Sequence, residues 1–505
     1  MVNGEILAFA LYFLIVIGMG VFFFFKSKSA GEKDYFLGGR SMGPWVTAMS
    51  AQASDMSAWL LMGLPGSILA FGFGKAWIGI GLAIGTALNW IFVAKRLRKF
   101  SAAAGDSITV PQYLSNRFCA TNHALSVICA VVFLICFTIY VASAFVAGTD
   151  VFVALVPSLP RGTAMLIFAA IIIAYTFLGG FKAVCWTDFV QGTLMLIALL
   201  AVPILMVIKG NYNADLLSTV YSDGETSYTF VPNLFNASWQ DIVSGLGWGL
   251  GYFGMPHIIV RFMSIKKPSM VKKSATVAII WVVISLTCAI VIAYFGRIAL
   301  FGDQPLAKEL LENGNQKLVF IALARKLFPT FIAGLLLAAI IAASMSTADS
   351  QLLVASSSFT SDIYKPIFKK NASNKEILWI GRIVVLVVSA IAYIIASSKG
   401  KGAQAIMELV ENAWGLFGAA FGPVILLSLF WKRLTYKGAI AGIVSGTLVD
   451  ILWLVLLSGK TGVYEIIPGF IVCFVLAVVV SLIDKAPSAE VQALYAKATD
   501  NSNDD

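Results

Sequence analysis

A few polar residues stand where an otherwise apolar chain has least use for them. Asp55 sits near the middle of an apolar run, in Ala51-Gln52-Ala53-Ser54-Asp55-Met56-Ser57-Ala58-Trp59. An unpaired carboxylate at such depth costs at least ~2.5–3.5 kcal/mol, so it reads as a group whose charge favours a cation. Ser346 and Thr347 are adjacent in Ala342–Gln351, and one helix can aim both hydroxyls into a cavity. Hydroxyl and carbonyl oxygens together suit a hard cation such as sodium. Ser344 and Ser350 can equally serve close helix packing or bond back to their own helix, and Asp349 can pair with a basic group near the inner surface. Four aromatics complete the set: Trp59, Tyr140, Trp248 and Tyr252. Most aromatics in such runs only pack. Trp248 and Tyr252, however, are i, i+4 neighbours and would share a face if helix persists there, as walls of a solute cavity.

The elements that must hold these residues follow from composition. The 505 residues are 59% apolar and only 12% charged. An ordinary soluble chain carries about 25% charged residues, so the surface cannot be meant for water. This is an all-α membrane protein. About thirteen apolar runs are long enough to cross ~30 Å of hydrocarbon. Their approximate ranges are 4–25, 43–73, 76–94, 122–149, 162–179, 187–208, 239–260, 274–298, 330–355, 378–397, 405–430, 438–458 and 465–484. The first is too long for the apolar part of a signal peptide and no small-residue cleavage site follows it. The stretch 317–328, with Lys317, Arg325 and Lys326, reads as an amphipathic helix at the surface.

The net charge of +10 comes from short basic clusters between the runs. Examples are Lys95, Arg96, Arg98 and Lys99; Arg261, Lys266, Lys267, Lys272 and Lys273; and Lys365, Lys369, Lys370 and Lys375. Most basic residues fall on one side if the N-terminus is outside, so the positive-inside rule puts the C-terminus in the cytoplasm. Nucleic-acid binding is not implied. The last run is followed by a short tail, with no appended soluble domain expected.

Two runs are broken. The second passes through Asp55 to Gly63-Leu64-Pro65-Gly66, and the seventh reads Gly245-Leu246-Gly247-Trp248-Gly249-Leu250-Gly251-Tyr252-Phe253-Gly254-Met255-Pro256. They lie five runs apart, an odd number, so the second copy crosses in the opposite sense. Matching interruptions in two inverted halves point to the central site of a transporter. Lipid cannot satisfy unwound backbone, which must therefore line a protein cavity.

Other signals fail. Six cysteines form no C-x-x-C pair and there are only two histidines, so a transition-metal site is not expected. Ser458-Gly459-Lys460-Thr461 lacks the first glycine of a phosphate loop, with Leu454 in its place. Gly81 and Gly85 mark close helix packing, and Glu408 and Glu411 are vestibule or surface charges. No nucleophile–base pair appears, so an enzyme is not expected and no cofactor is implied.

Several segments resemble the sodium/solute symporter family. They are Tyr35–Ser41, Ser54-Asp55-Met56-Ser57 through Pro65-Gly66, Phe177–Phe181, Trp186-Thr187-Asp188, Gly247–Gly254, Met345–Leu353 and Trp414–Pro423. The likeness runs in order along nearly the whole chain. It is strongest to the proline-carrying branch in Asp55–Pro65, Trp248–Pro256 and Glu465–Phe470. Ala58 stands where that branch is expected to carry glycine.

The resemblance implies a LeuT-like core of five plus five inverted helices with its first and sixth core helices broken. Residues 43–237 and 238–431 would be the two repeats, 1–42 an extra helix and inner loop, and 432–505 two further helices and a tail. It implies sodium bound by the carbonyls of Ala53, Met56 and Ala343 and the hydroxyls of Ser346 and Thr347, with Asp55 nearby. Asp188 matches a position that contributes to a second sodium in some relatives. Substrate contacts would be Ser57, Trp59, Tyr140, Trp248, Tyr252 and Pro256. The implied activity is sodium-coupled import of L-proline, or of another amino acid, pantothenate or a sugar, across the bacterial inner membrane. The partners implied are Na+, the solute and the lipid bilayer, with no obligatory protein partner.

Overall fold

A computed structural model of the chain describes residues 2–26, 31–210, 212–222, 227–300, 308–312, 314–398 and 403–500. In chain order the main elements are α1 (Val2–Lys26), α2 (Pro44–Asp55), α3 (Gly63–Phe71), α4 (Ala76–Leu88) and α5 (Ala124–Leu155). There follow α6 (Arg161–Leu178), α7 (Phe181–Lys209), α8 (Trp239–Gly247), α9 (Pro256–Ser264) and α10 (Val271–Leu300). The remainder are α11 (Thr330–Phe359), α12 (Asn374–Ser398), α13 (Ala403–Phe430), α14 (Tyr436–Leu456) and α15 (Ile466–Ile483). Helix α4 runs on through a wide turn, Asn89–Ala94, into Lys95–Ala103. The strands found are the two-residue pair Tyr221–Ser222 and Ser227–Tyr228.

Ten helices among the described residues are long and apolar enough to cross a membrane. Isoleucine, leucine and phenylalanine side chains exposed on their outer faces, such as Leu14, Phe92 and Ile394, suit lipid rather than water. The expected second and seventh runs are not continuous rods. Each is two short helices joined by unwound chain, α2/α3 and α8/α9.

Burial separates centre from rim. In their most apolar windows, α11 and α13 are 83% and 89% buried, against 28% for α1, α14 and α15. Helix α11 packs on α5, α7 and α1, and α2 is held by α7, α10, α9 and α11. Small residues allow this. A Cβ at Gly81 would meet the Gly245 carbonyl oxygen at 2.2 Å, and one at Gly85 the Gly249 oxygen at 2.3 Å, so α4 can lie on the broken 245–249 stretch only as glycine.

The expected surface helix is partly sunk. Val319–Leu327 buries Val319, Phe320 and Leu323, while Arg325 reaches out to Glu5 at 2.8 Å. Lys317 is also buried, its ammonium 2.5 Å from Asp150. The backbone at 316–317 presses onto Gly66 of α3, which carries the lysine inward to a carboxylate that the sequence pattern did not couple to it. All six cysteines are free and five are buried.

Candidate ion and solute site

Helix α2 ends because its hydrogen bonding changes after Asp55. The Met56 amide still donates to the Gln52 carbonyl, but the Ser57 amide donates to Asp55 at 3.0 Å. A continuing helix would send the Ser57 amide to Ala53. The Ala53 carbonyl thus loses its helical donor. Ser57 is extended (φ −63°, ψ −170°), its Oγ accepts from the Trp59 amide at 3.4 Å, and Ala58–Leu60 make a single tight turn. Helix α3 then restarts at Gly63. Pro65 falls in its first turn, where a missing amide costs nothing.

What meets the freed carbonyl comes from α11. Ser346 Oγ lies 2.8 Å from the Ala53 carbonyl oxygen and 3.1 Å from that of Ala343. The adjacent Thr347 Oγ1 is buried with no hydrogen-bond partner. Three of the expected cation ligands, Ala53, Ala343 and Ser346, are therefore joined around one hydroxyl, with Thr347 next in the chain. Met56, the fourth carbonyl expected, is fully buried at the C-cap of α2. Ser344 only bonds back to Ile340 of its own helix, at 3.1 Å.

Asp55 is 1% exposed. Its Oδ2 accepts from the Tyr252 hydroxyl at 2.5 Å and its Oδ1 has no partner. This bond ties the break in α2 to the unwound stretch between α8 and α9, which runs as a tight 3₁₀ turn over Trp248–Phe253. Pro256 takes the first position of α9, and Met255 before it is extended, as proline requires. The Asn89 side chain holds this stretch by donating to the Tyr252 carbonyl at 2.9 Å.

The aromatics gather, though not as one helical face. Because the chain at 248–253 is wound more tightly than an α-helix, Trp248 and Tyr252 do not stack above each other. They meet through Trp414 of α13, whose ring centroid is 6.4 Å from Trp248 and 5.1 Å from Tyr252, and whose Nε1 donates to the Trp248 carbonyl at 2.8 Å. Trp59 faces Trp248 at 6.3 Å, and Tyr464 lies 5.3 Å from the same ring. Tyr140 of α5 stands edge-on to His257 at 6.2 Å, and its buried hydroxyl has no partner. Tyr464 and His257 were not singled out by the pattern, and Trp414 entered only as the first residue of the Trp414–Pro423 resemblance, with no role given to it.

Asp188 belongs to a different cluster. Its Oδ2 takes the Ser50 hydroxyl at 2.7 Å and Arg261 Nη2 at 3.2 Å, while its Oδ1 has no partner. Arg261 also donates to Ser350 Oγ at 2.5 Å, and that hydroxyl lies 3.3 Å from Asp349. The arginine, read from the sequence as a topology charge, is 1% exposed. Glu408 and Glu411 line a separate cavity of about 740 Å³ with Lys75 and Asp241.

A model of the sodium:solute symporter family matches residues 35–446. The chain belongs to this family. It is 45% identical over 465 residues to the sodium/proline symporter of Escherichia coli (strain K12), spanning 92% of this chain and 90% of that one. It is 42% identical to the high-affinity proline transporter PutP of Bacillus subtilis (strain 168), over 95% and 98% of the two chains. Among solved structures it resembles a Na+-coupled sialic acid symporter with a TM-score of 0.74 at 19% identity, covering 96% and 98% of the chains. A second likeness, to a nucleobase-cation-symport-1 family transporter, has a TM-score of 0.53 at 14% identity over 92% and 98%. The two solved structures share the symporter fold with this multi-pass membrane chain.

Proposed function

We propose that this chain is a sodium-coupled secondary transporter that imports L-proline by alternating access across the bacterial inner membrane. The family membership and the sodium/proline symporters among its relatives support the reading. The observation that carries it is the Ala53 carbonyl, released by the helix break and met by Ser346 from α11. Sodium would bind the carbonyls of Ala53, Met56 and Ala343 and the hydroxyls of Ser346 and Thr347. For this the Ser346 hydroxyl turns its proton away and offers a lone pair. Asp55 supplies the negative charge nearby, and Asp188, through its unpartnered oxygen, would contribute to a second sodium.

Proline is recognised at the two breaks. Its carboxylate suits backbone amides freed beside Ser57 and Pro256, and its ring suits the faces of Trp59, Trp248 and Tyr252, with Tyr140 opposite. Sodium fastens α2 to α11 and so preorganises the solute contacts on α2, which is the coupling. A tenfold sodium gradient supplies ~1.4 kcal/mol and 100 mV adds ~2.3 kcal/mol per charge. Together they sustain roughly 500-fold accumulation at one sodium per solute.

The architecture we propose has about thirteen membrane helices: repeats at 43–237 and 238–431, an extra helix before them and two after. The N-terminus is outside and the C-terminus cytoplasmic, as the basic clusters favour. The test is proline flux into sealed proteoliposomes. Uptake should require an inward sodium gradient and return proline unchanged. Competition by pantothenate, sugars and other amino acids identifies the cargo, and stronger uptake of one of these would replace proline in the reading.

A further inference from the structure

One face of the molecule carries a groove that transport does not use. It lies between α5 and α12 on the outside of the bundle, is floored by Phe359, and has a volume of about 840 Å³. Ile383, Val387 and Ile391 recur every four residues on α12 and face Ile135 and Ile139 of α5. The groove extends along α12 from Ile380 to Ile395. At 1.5 Å per residue that is about 22 Å, deeper than one leaflet's share of a ~30 Å hydrocarbon core. Almost nothing in it can hydrogen-bond. Thr138 donates back to Leu134 of its own helix at 2.6 Å, and the Tyr364 hydroxyl is taken by Glu376 at 2.6 Å. A polar solute has no footing here, whereas an alkyl chain fits.

The two ends differ. One ends on Ile395. At the other, Tyr364 and Phe368 stack with centroids 6.3 Å apart, and the chain then passes through Lys369, Lys370 and Lys375 before α12 is under way. All three lysines are exposed. Lys369 shares Glu376 with Tyr364, at 2.9 Å, Lys375 has no carboxylate partner among the described residues, and Lys370 turns to an adjoining cavity with Glu32, Lys33 and Asp106. Lys365 is neutralised separately by Glu32. A long apolar slot thus opens at an aromatic pair onto a net positive ledge, the complement of an acyl chain attached to an anionic headgroup.

We propose that this groove is a binding site for an anionic phospholipid, with an acyl chain along α12 and the phosphate held by Lys369 and Lys375. Its placement in the cytoplasmic leaflet rests on the orientation proposed above. Basic residues beside a membrane attract anionic lipid there. The protein is reconstituted in phosphatidylcholine bilayers with chain spin-labelled phosphatidylglycerol or phosphatidylcholine, and the motionally restricted fraction of each is measured. The expected result is roughly tenfold preference for phosphatidylglycerol at low salt, falling as salt rises. Replacing the two lysines together (Lys369→Gln, Lys375→Gln) should lower the preference several-fold, the other basic clusters keeping a remainder, and leave phosphatidylcholine unchanged. Val387→Trp should lower the restricted fraction of both lipids. Equal retention of the two lipids by the native chain, or a preference that the double replacement leaves undiminished, overturns the proposal. The readout needs no transport and no knowledge of which leaflet is cytoplasmic, so a failed flux experiment leaves it standing.

Discussion

Two buried polar clusters sit one helical turn apart on the same pair of helices, yet they are built on opposite principles. In the first, Ala53 of α2 meets Ser346 of α11, and every donor or acceptor is neutral except Asp55, which is bonded to a tyrosine hydroxyl. In the second, Ser50 of α2 and Ser350 of α11 are bridged by the Arg261 guanidinium, which also pairs with Asp188. Both keep oxygen atoms unpartnered, Thr347 Oγ1 and Asp55 Oδ1 in the first, Asp188 Oδ1 and Asp349 Oδ2 in the second. The second supplies its own cation. The first, as the ion pocket proposed above, offers ligands without a resident charge. A knot that joins four helices gains from having one.

The largest effect should come from removing that resident charge. Arg261→Met strands two buried carboxylates, a change of the kind that costs ~3–5 kcal/mol. A large fall in the melting temperature in detergent is expected, partly restored by adding Asp188→Asn. If the arginine variant melts like the parent, the two clusters are not different in kind. Asp55→Asn should do the reverse. Stability should hold, but half-maximal uptake should need at least about tenfold more sodium, which is ~1.4 kcal/mol or more. An unchanged sodium dependence removes Asp55 from the ion site.

Trp248→Ala tests the boundary between ion and solute. Proline binding should weaken about tenfold by loss of an aromatic wall, with sodium binding affected less. Equal losses would point to misfolding. The smallest contrast is between two serines a half-turn apart. Ser346→Ala should weaken sodium about fivefold, the value of a single oxygen ligand, while Ser344→Ala should stay within about twofold because its hydroxyl serves only its own helix. Binding of radioactive sodium to both variants measures the pair.

Much of the first cluster could be read beforehand. Glycine marks where α8 ends, and Gly63 and Pro65 mark where α3 begins, though nothing of that kind stands at the end of α2 after Asp55; adjacent hydroxyls on α11 were the other signal. Ser344 was open to two readings, and its bond to Ile340 is the duller one. The second cluster was not legible in the same way. Arg261 stands near other cations at the end of a broken run and reads as topology, and Lys317 reads as surface charge although it is sunk against Asp150. Trp414, the ring that gathers Trp248 and Tyr252, lies over 160 residues from both, with no periodicity to connect them.

Local chemistry therefore determined the apolar lengths, the glycine-rich stretch where α8 gives way and the oxygen-bearing residues proposed above as ion ligands. Each of those depends on neighbours a few positions away. Tertiary structure alone decided that the Ala53 carbonyl would find Ser346 rather than water, that Asp188 would meet an arginine and Asp55 a tyrosine hydroxyl, and that two exposed helix faces would leave a slot between them. Such outcomes turn on ångström-scale approach between helices hundreds of residues apart, where a missing Cβ at Gly66, Gly81 or Gly85 sets how close the backbones come.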